Sequence, residues 1–191
     1  MSVRGFTHVF SLAHAAYSPG IFPGRGKTIW RDWWTHDVVN ATSGANTTLS
    51  APLGHINVHI RDGSVLLLHQ TPAYTIEETR SGPYALLMSL SADGHAFGTA
   101  YIDDGISFPP GPSSILTMKG TSGGVTITPR GSFNIAQRLG TVTVLGVKQK
   151  PTQVQVDGMF TMNWEYLAPQ DKLVIHNMTT NLNNPVGLSW R

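Results

Sequence analysis

Apolar and polar residues alternate in a series of short segments along this chain, and this alternation limits the fold to one built from strands. Thr141–Val144 and Gln153–Val156 each place an apolar residue at every second position, which is the pattern of a half-buried antiparallel strand. Asp93-Gly94 and Asp157-Gly158 lie between such segments and are natural hairpin turns. Further strand-like runs occur at residues 29–35, 56–60, 64–69, 84–90, 96–102, 115–119, 123–128 and 172–176.

Helical periodicity is weak by comparison, and only residues 133–139 are expected to form a short helix. Hydrophobic residues make up 40% of the 191-residue chain and charged residues 13%, with 20 Gly and 12 Pro. This composition is too apolar for a disordered chain and too poor in charge for a coiled coil. The sequence therefore predicts an all-β protein of two antiparallel β-sandwich-like units, with helix in less than about 10% of residues.

A boundary between the two units is predicted near residues 70–83, where Gln70-Thr71-Pro72 and Ser81-Gly82-Pro83 enclose a polar stretch. We divide the chain into a divergent N-terminal segment (1–20), a proximal β-domain (21–75) and a distal β-sandwich domain (76–191). Three glycosylation sequons begin at Asn40, Asn46 and Asn177. Because the chain is rich in Thr, we interpret them as chance matches.

Charge and composition exclude several classes of function. The 13 basic and 11 acidic residues are scattered without a basic run, so we expect no nucleic-acid partner. The absence of Cys excludes disulfides, thiol catalysis and zinc-thiolate sites. No apolar run reaches the roughly 18 residues that span a bilayer, and we expect no membrane partner and no cofactor.

The N-terminus resembles an export signal only weakly. Residues 1–17 contain one positive charge and an Ala13-His14-Ala15 step, but His8, Ser11 and His14 interrupt the apolar part. We expect no classical signal peptide and favour a cytoplasmic or non-classically secreted protein, with the localisation otherwise open.

Two motifs imitate ligand sites. Gly24–Thr28 ends like a phosphate-binding loop, but Ile21 stands where that motif needs Gly, and a strand-like run follows instead of a helix. His55 and His59 lie on an alternating segment, where four strand steps separate their side chains by roughly 13 Å. We therefore expect a solvent-facing pair of histidines and no metal site.

Aromatic and acidic residues suggest a different chemistry, the binding of sugars. Trp33 and Trp34 follow Trp30 on an expected strand, where Trp30 and Trp34 share one face and Trp33 lies on the other. Tyr101, Asp103 and Asp104 precede Gly105 in a turn-forming sequence. Flat aromatic rings next to carboxylates suit sugars, which present apolar C–H faces ringed by hydroxyls. The alternatives are that the aromatics are core residues and that the acids only shape a turn.

Several long motifs resemble one known family. Trp30–Thr35 resembles the strand that opens the proximal C-terminal domain of the fungal α-glucosidases of glycoside hydrolase family 31. Ala51–Ser64 is similar to their next conserved segment, except that Asp62 replaces a Gly in the turn, and Asp93–Ser107 resembles a hairpin of their distal domain. The resemblance runs from about residue 21 to 191 and leaves out the first 20 residues.

The resemblance implies two accessory β-domains without catalytic residues. In the family a (β/α)₈ barrel precedes these domains and supplies the nucleophilic and the acid/base Asp, and no part of this sequence resembles that barrel. The sequence therefore predicts a non-catalytic, lectin-like carbohydrate-binding protein with Trp33, Trp34, Tyr101, Asp103 and Asp104 as binding residues. The alternatives are a structural accessory fragment without a ligand of its own and an enzyme with an unrecognised site. A second copy of the chain, in a homodimer, is the simplest expected cover for the face that would meet the barrel, and the alternative is that residues 1–20 fold back and cover it.

Overall fold

The computed structural model of this chain describes residues 6–9, 17–24, 26–40 and 47–191. Within them it contains one α-helix, α1 (Ile76–Ser81), and one 3-10 turn (Ala168–Gln170). The strands are β1 (Phe6–Val9), β2 (Tyr17–Gly20), β3 (Trp30–Asp32), β4 (Thr47–Ser50), β5 (Asn57–Arg61), β6 (Ser64–His69), β7 (Tyr84–Ser89), β8 (Ala96–Ile102), β9 (Ser114–Thr121), β10 (Gly124–Gly131), β11 (Arg138–Leu145), β12 (Val154–Val156), β13 (Met159–Thr161), β14 (Trp164–Leu167), β15 (Lys172–Ile175), β16 (Thr180–Asn181) and β17 (Val186–Trp190). The all-β prediction is confirmed.

Most strands join one long sheet with the order β13-β12-β17-β10-β9-β8-β6-β7-β11-β15-β14, and β16 pairs with β11. The sheet folds over on itself, because inward side chains from its distant strands share one core: Met88 on β7, Met118 on β9, Val144 on β11 and Leu188 on β17. We call this layered part the sandwich. Its strands are not all antiparallel as predicted, since β7 pairs with β11 and β6 with β8 in parallel.

The central strands of the sandwich are covered on both faces. On β7, Leu86 and Met88 point into the sandwich core, while Leu87 packs on the opposite face with Leu145 of β11 and Ile60 of β5. This explains why the sequence of β7 is a continuous apolar run instead of an alternating one. Strands β1 to β5, which we call the small module, therefore lie against the outer face of the sandwich.

The small module has its own small core. β5 lies between β1 and β3, and β2 pairs with β4. Phe22, Trp30 and Leu49 are buried together, and the indole N–H of Trp30 donates to the carbonyl oxygen of Pro23 (3.0 Å). Of residues 1–20, which the sequence sets apart, β1 and β2 are thus part of the small module, and the rest lie outside the described residues.

A buried arginine links the small module to the sandwich. Arg31 is 1% exposed, and its Nη1 donates to the carbonyl oxygens of His36 and Gln170, each at 3.1 Å. The side chain of Gln170 donates in turn to Asp37 (3.0 Å). Burial lowers the pKa of Arg31, and the nearby carboxylates, first that of Asp171, partly offset this.

The segment in which the sequence predicts a domain boundary holds α1. Thr75 caps the helix: its hydroxyl accepts from the N–H of Glu78 (3.1 Å), whose carboxylate accepts from the N–H of Thr75 (3.2 Å). On either side of this segment, β6 and β7 pair antiparallel from Ser64↔Ser89 to His69↔Tyr84. β6 thus lies in the long sheet, and the division at residues 75 and 76 stays a prediction.

The predicted helix at residues 133–139 is wrong, because this segment is an irregular connection that leads into β11. Ile135 is buried in the sandwich core, and its backbone N–H and carbonyl bond the side-chain amide of Asn183, each at 2.8 Å. The amide side chain thus satisfies backbone groups that helical hydrogen bonds would otherwise satisfy.

Candidate functional site

The three neighbouring tryptophans do not share one strand, so the prediction that Trp30 and Trp34 lie on one face of it is wrong. β3 ends at Asp32, whose carboxylate accepts from the backbone N–H of Trp34 (2.7 Å) and of Thr35 (2.8 Å). This side-chain bonding turns the chain directly after the strand. Trp33 and Trp34 therefore lie in a turn at the end of the small module.

Trp33 and Trp34 differ in exposure. Trp33 is half-buried and packs against the cluster of Ile60, Leu87 and Leu145 between the small module and the sandwich. Trp34 is 59% exposed, its indole N–H donates to the carbonyl oxygen of Ile56 (3.0 Å), and its ring lies 6.5 Å from that of His55. The ring of Trp34 is thus exposed to solvent and its orientation is fixed by a hydrogen bond to Ile56. A binding role for Trp33 or Trp34 stays a prediction.

The prediction of a solvent-facing histidine pair is wrong for His59. Its side chain is 1% exposed and meets the ring of Phe22 edge-on at 4.9 Å, because this face of β5 packs against the core of the small module that contains Phe22. Burial lowers the pKa of His59, Asp32 opposes this shift and His55 adds to it. His59 is a neutral core residue near neutral pH.

Tyr101 lies on the outer face of β8 and is 56% exposed, while Asp103 and Asp104 follow in the connection to β9. Asp103 Oδ1 accepts from the N–H of Gly105 (2.9 Å). Asp104 Oδ1 accepts from the N–H groups of Ile106 (3.2 Å) and Ser107 (3.1 Å), and its Oδ2 accepts from the Ser107 hydroxyl. Both acids thus take part in the turn that the sequence offered as the alternative.

The two acids differ in how many of their carboxylate oxygens already accept hydrogen bonds within the turn. Both oxygens of Asp104 are engaged, and these hydrogen bonds, the Ser107 hydroxyl first, lower its pKa. Of the two carboxylate oxygens of Asp103, the hydrogen bonds of the described residues involve only Oδ1. Asp103 also lines an open cleft of about 480 Å³, which Asp104 and Tyr101 do not line.

This cleft, which we call the α1 cleft, lies between α1 and the connection from β8 to β9. Tyr74, fully exposed, stands on its helix side. Arg80, also on that side, is fixed at both ends: its Nη2 donates to the carbonyl oxygen of Asp103 (3.2 Å), and its own carbonyl accepts from Gln137 (2.8 Å). Thr75, Thr79 and His69 complete the polar lining.

Gly105 and His69 shape the α1 cleft. Gly105 adopts a positive φ of 69°, and a Cβ at this position would lie 1.8 Å from Arg80 Nη1, so only glycine lets the guanidinium approach this closely. His69 stacks on Tyr84 at 5.1 Å. Burial, followed by the charge of Arg80, lowers the pKa of His69, so the ring is neutral near pH 7.

The α1 cleft combines an aromatic ring, hydroxyls, a fixed cation and a carboxylate. Of the five residues predicted from the sequence, it contains only Asp103. The sequence analysis missed Tyr74 and Arg80, although Thr75-Ile76-Glu77-Glu78 is a capping-box pattern that indicates a helix start directly after Tyr74.

Other kinds of site find no support in the described part of the chain. It contains no group of three or more His, Cys, Asp or Glu residues that could hold a metal ion. The helix found there is also too short to cross a membrane.

Comparison with known proteins gives a consistent family of relatives. The chain is 37% identical over 159 residues to an α-glucosidase of Schizosaccharomyces pombe, covering 83% of this chain and 16% of the relative. It is 36% identical over 153 residues to a family 31 glucosidase of the same yeast, covering 80% and 15%. The chain thus spans about a sixth of the length of the curated relatives it matches, and no protein-family model matches it.

The fold also occurs in a solved structure. The glucosidase II α subunit, in a form bound to α3-Glc2, superposes with a TM-score of 0.79 at 19% identity, covering 95% of this chain and 22% of that one. At this identity the likeness concerns the fold. It extends over both the small module and the sandwich, because nearly the whole chain is covered.

Proposed function

We propose that this chain, which is a relative of the fungal α-glucosidases of glycoside hydrolase family 31, is a non-catalytic carbohydrate-binding protein. The part of the relatives' length that it matches corresponds to their C-terminal β-domains. The ligand site is the α1 cleft. The observation that carries this proposal is the placement of Asp103, Arg80 and Tyr74 around one open cavity of about 480 Å³.

Each of these groups has a role that matches sugar chemistry. Tyr74 presents an aromatic ring on which the C–H face of a pyranose stacks, contributing about 0.5–1.5 kcal/mol. Asp103 and Arg80 accept from and donate to hydroxyl groups, and a hydrogen bond to a charged group contributes about 1.5–3 kcal/mol. One such stack and two such bonds contribute together about 3.5–7.5 kcal/mol. The cost of association, about 4 kcal/mol or more, takes up most of this, so we expect a monosaccharide or disaccharide to bind with an affinity no tighter than about millimolar.

We also propose that these residues do not hydrolyse glucosides by themselves. Hydrolysis of this kind needs two carboxylates on opposite sides of the sugar, about 5–9 Å apart. In the α1 cleft Asp103 is the single carboxylate among the lining residues. The α-glucosidases among its relatives are about six times longer than the matched part, since that part covers 16% of one such relative.

The experiment is a calorimetric titration with maltose, glucose, mannose, galactose and N-acetylglucosamine, using the full chain. We expect Asp103→Ala to weaken binding of the sugar that binds best by tenfold or more. The matched control is Asp104→Ala, because it removes a neighbouring turn carboxylate that does not line the cleft. Each variant also needs a melting curve, so that loss of the turn is not mistaken for loss of a contact.

Two outcomes would contradict the proposal. One is that no sugar of the panel binds. The other is that Asp103→Ala binds as tightly as the unmodified chain while its melting temperature is unchanged, since the carboxylate would then have no contact with the ligand.

A second candidate function is that of a structural accessory part without a ligand of its own. Exposed apolar side chains on the small module favour it, namely Ile21, Trp34, Val38, Leu53 and Ile56. Such a surface fits another protein surface, most simply a second copy of the chain. Sedimentation distinguishes this function: a dimer that Leu53→Asp dissociates, in a protein that binds no sugar, supports it over carbohydrate binding.

A further inference from the structure

A second cleft lies where the two ends of the long sheet meet. The hairpin of β12 and β13 comes from one end of the strand order, and the connection between β15 and β16 comes from the other. Between them is a cavity of about 430 Å³, which we call the hairpin cleft. The residues that line the α1 cleft and those that line the hairpin cleft do not overlap.

The lining of the hairpin cleft is about half apolar and half polar, and it is nearly uncharged. Its polar half consists mainly of amide and hydroxyl side chains, which include Asn163, Asn177, Asn184 and Thr161. Neither Lys nor Arg is among the lining residues, which argues against a phosphate or another anion as the ligand. The lining contains one acid, Asp157, whose Oδ1 accepts from the N–H of Gly187 (2.8 Å) and so holds the hairpin turn to β17.

An exposed aromatic ring stands beside these amides. Phe160 is 67% exposed on β13, a strand at the end of the sheet that pairs with β12. Its ring is not part of the sandwich core, so packing of the core does not explain an aromatic residue at this position. A flat apolar ring next to several neutral donors and acceptors matches a sugar, which presents an apolar face with hydroxyls around it.

The rim of the cleft is held by a tight turn. Asn177 adopts a positive φ of 53° between β15 and β16, and the N–H of the preceding His176 donates to the carbonyl oxygen of Asn163 (2.9 Å). The turn places Asn177 at the surface with its side chain exposed. The polar groups of the rim therefore have a fixed backbone before any ligand arrives, which lowers the entropy cost of binding.

We propose that the hairpin cleft is a binding site for a neutral saccharide, separate from the α1 cleft. Phe160 stacks on the sugar ring, and the amides of Asn184 and Asn177 bond its hydroxyls. The ligand class is that of the proposed function, but the residues are others, so either site can exist without the other. A chain with both sites holds two glycans at once and cross-links them.

The experiment is a titration of ¹⁵N-labelled full-length protein with maltose, methyl α-mannoside, galactose and N-acetylglucosamine, followed by amide chemical shifts. Glucuronate serves as the anionic comparison. Production in bacteria leaves Asn177, which begins the sequon Asn177-Met178-Thr179, without a glycan. We expect saturable shifts at residues 160, 177 and 184 for at least one neutral sugar, and none for glucuronate.

Variants separate the two clefts. We expect Phe160→Ala and Asn184→Ala to weaken sugar binding in the hairpin cleft, as measured from the amide shifts of residues 160, 177 and 184, by about fivefold to tenfold. We expect the amide shifts of residues 103–105 to stay unchanged in both variants. Met162→Ala is the matched control, because Met162 is 89% exposed directly after β13 but does not line the cleft. Since Phe160 and Asn184 are both exposed, their variants are expected to fold.

The inference is overturned if no neutral sugar causes saturable shifts at residues 160, 177 and 184 up to about 50 mM, a concentration at which even millimolar affinities saturate the site. It is also overturned if Met162→Ala weakens binding as much as Phe160→Ala. Shifts confined to residues 74–80 and 103–105 overturn this inference while supporting the proposed function, and shifts confined to residues 160, 177 and 184 do the reverse.

Discussion

Replacement of Arg31 by Met tests how the small module is held on the sandwich. Arg31 is 1% exposed, and its Nη1 bonds one carbonyl oxygen in the small module, that of His36, and one in the sandwich, that of Gln170. Methionine fills most of the space of the aliphatic stem but offers no donor. Both carbonyl oxygens then lose the partner that links the two parts.

The expected magnitude follows from these two bonds. A hydrogen bond from a charged donor contributes about 1.5–3 kcal/mol, so the pair sets an upper limit of about 3–6 kcal/mol. Removing a buried guanidinium also removes the cost of its desolvation, which returns part of this energy. We therefore expect Arg31→Met to lower the free energy of unfolding by about 2–4 kcal/mol and the melting temperature by about 4–16 °C.

The assay is urea unfolding followed by tryptophan fluorescence and by far-UV circular dichroism. Arg61→Met is the matched control, because Arg61 is an exposed residue of the same small module, and we expect its free energy of unfolding to change by less than about 0.5 kcal/mol. If Arg31→Met unfolds at the same urea concentration as the unmodified chain, the two hydrogen bonds do not hold the module, and the reasoning is refuted.

Three further predictions concern stability. Gly98→Ala is expected to prevent folding or to lower the melting temperature by more than 10 °C, since a Cβ would lie 2.0 Å from the carbonyl oxygen of Val65; a normal melting curve would contradict the close approach of β6 and β8. Asn183→Ala leaves both backbone groups of Ile135 without their partner, and we expect unfolding to become easier by about 2–3 kcal/mol, with Asn183→Asp as the conservative comparison in urea unfolding. Burial lowers the pKa of His59 below its ordinary value of 6.5 in the folded chain. As the pH falls, His59 is therefore protonated more readily in the unfolded chain than in the folded one, and stability is lost below about pH 6.5. His59→Phe should reduce this loss between pH 7 and pH 5, and an unchanged pH dependence would show that His59 is not the cause.

The sequence predicts the sandwich strands well because a strand with one buried face has alternating apolar and polar residues within its own short segment. Thr141–Val144 and Gln153–Val156 alternate in the sequence and lie on β11 and at β12 in the structure. The errors have a common physical origin in polar side chains that bond the backbone. Asp32 ends β3 before Trp33, and Asn183 bonds Ile135 from 48 residues away; apolar periodicity contains no sign of either.

The candidate sites are harder to predict, because each unites distant parts of the chain. Asp103 was found from its turn sequence, but its partner Arg80 lies on a separate element 23 residues earlier. The hairpin cleft joins Phe160 to Asn177 and Asn184 from the opposite end of the strand order. Only the closure of the sheet brings them together, so no local pattern in the sequence points to that cleft.

Carbohydrate binding in the α1 cleft can be observed directly in a crystal structure of the full chain soaked with simple neutral sugars. We expect a sugar in the α1 cleft, with its ring against Tyr74 and a hydroxyl within hydrogen-bond distance of Asp103. The same sugar must also bind in solution, with a weaker affinity for Asp103→Ala. An α1 cleft that stays empty of every sugar at saturating concentration would contradict the claim that this cleft binds carbohydrate.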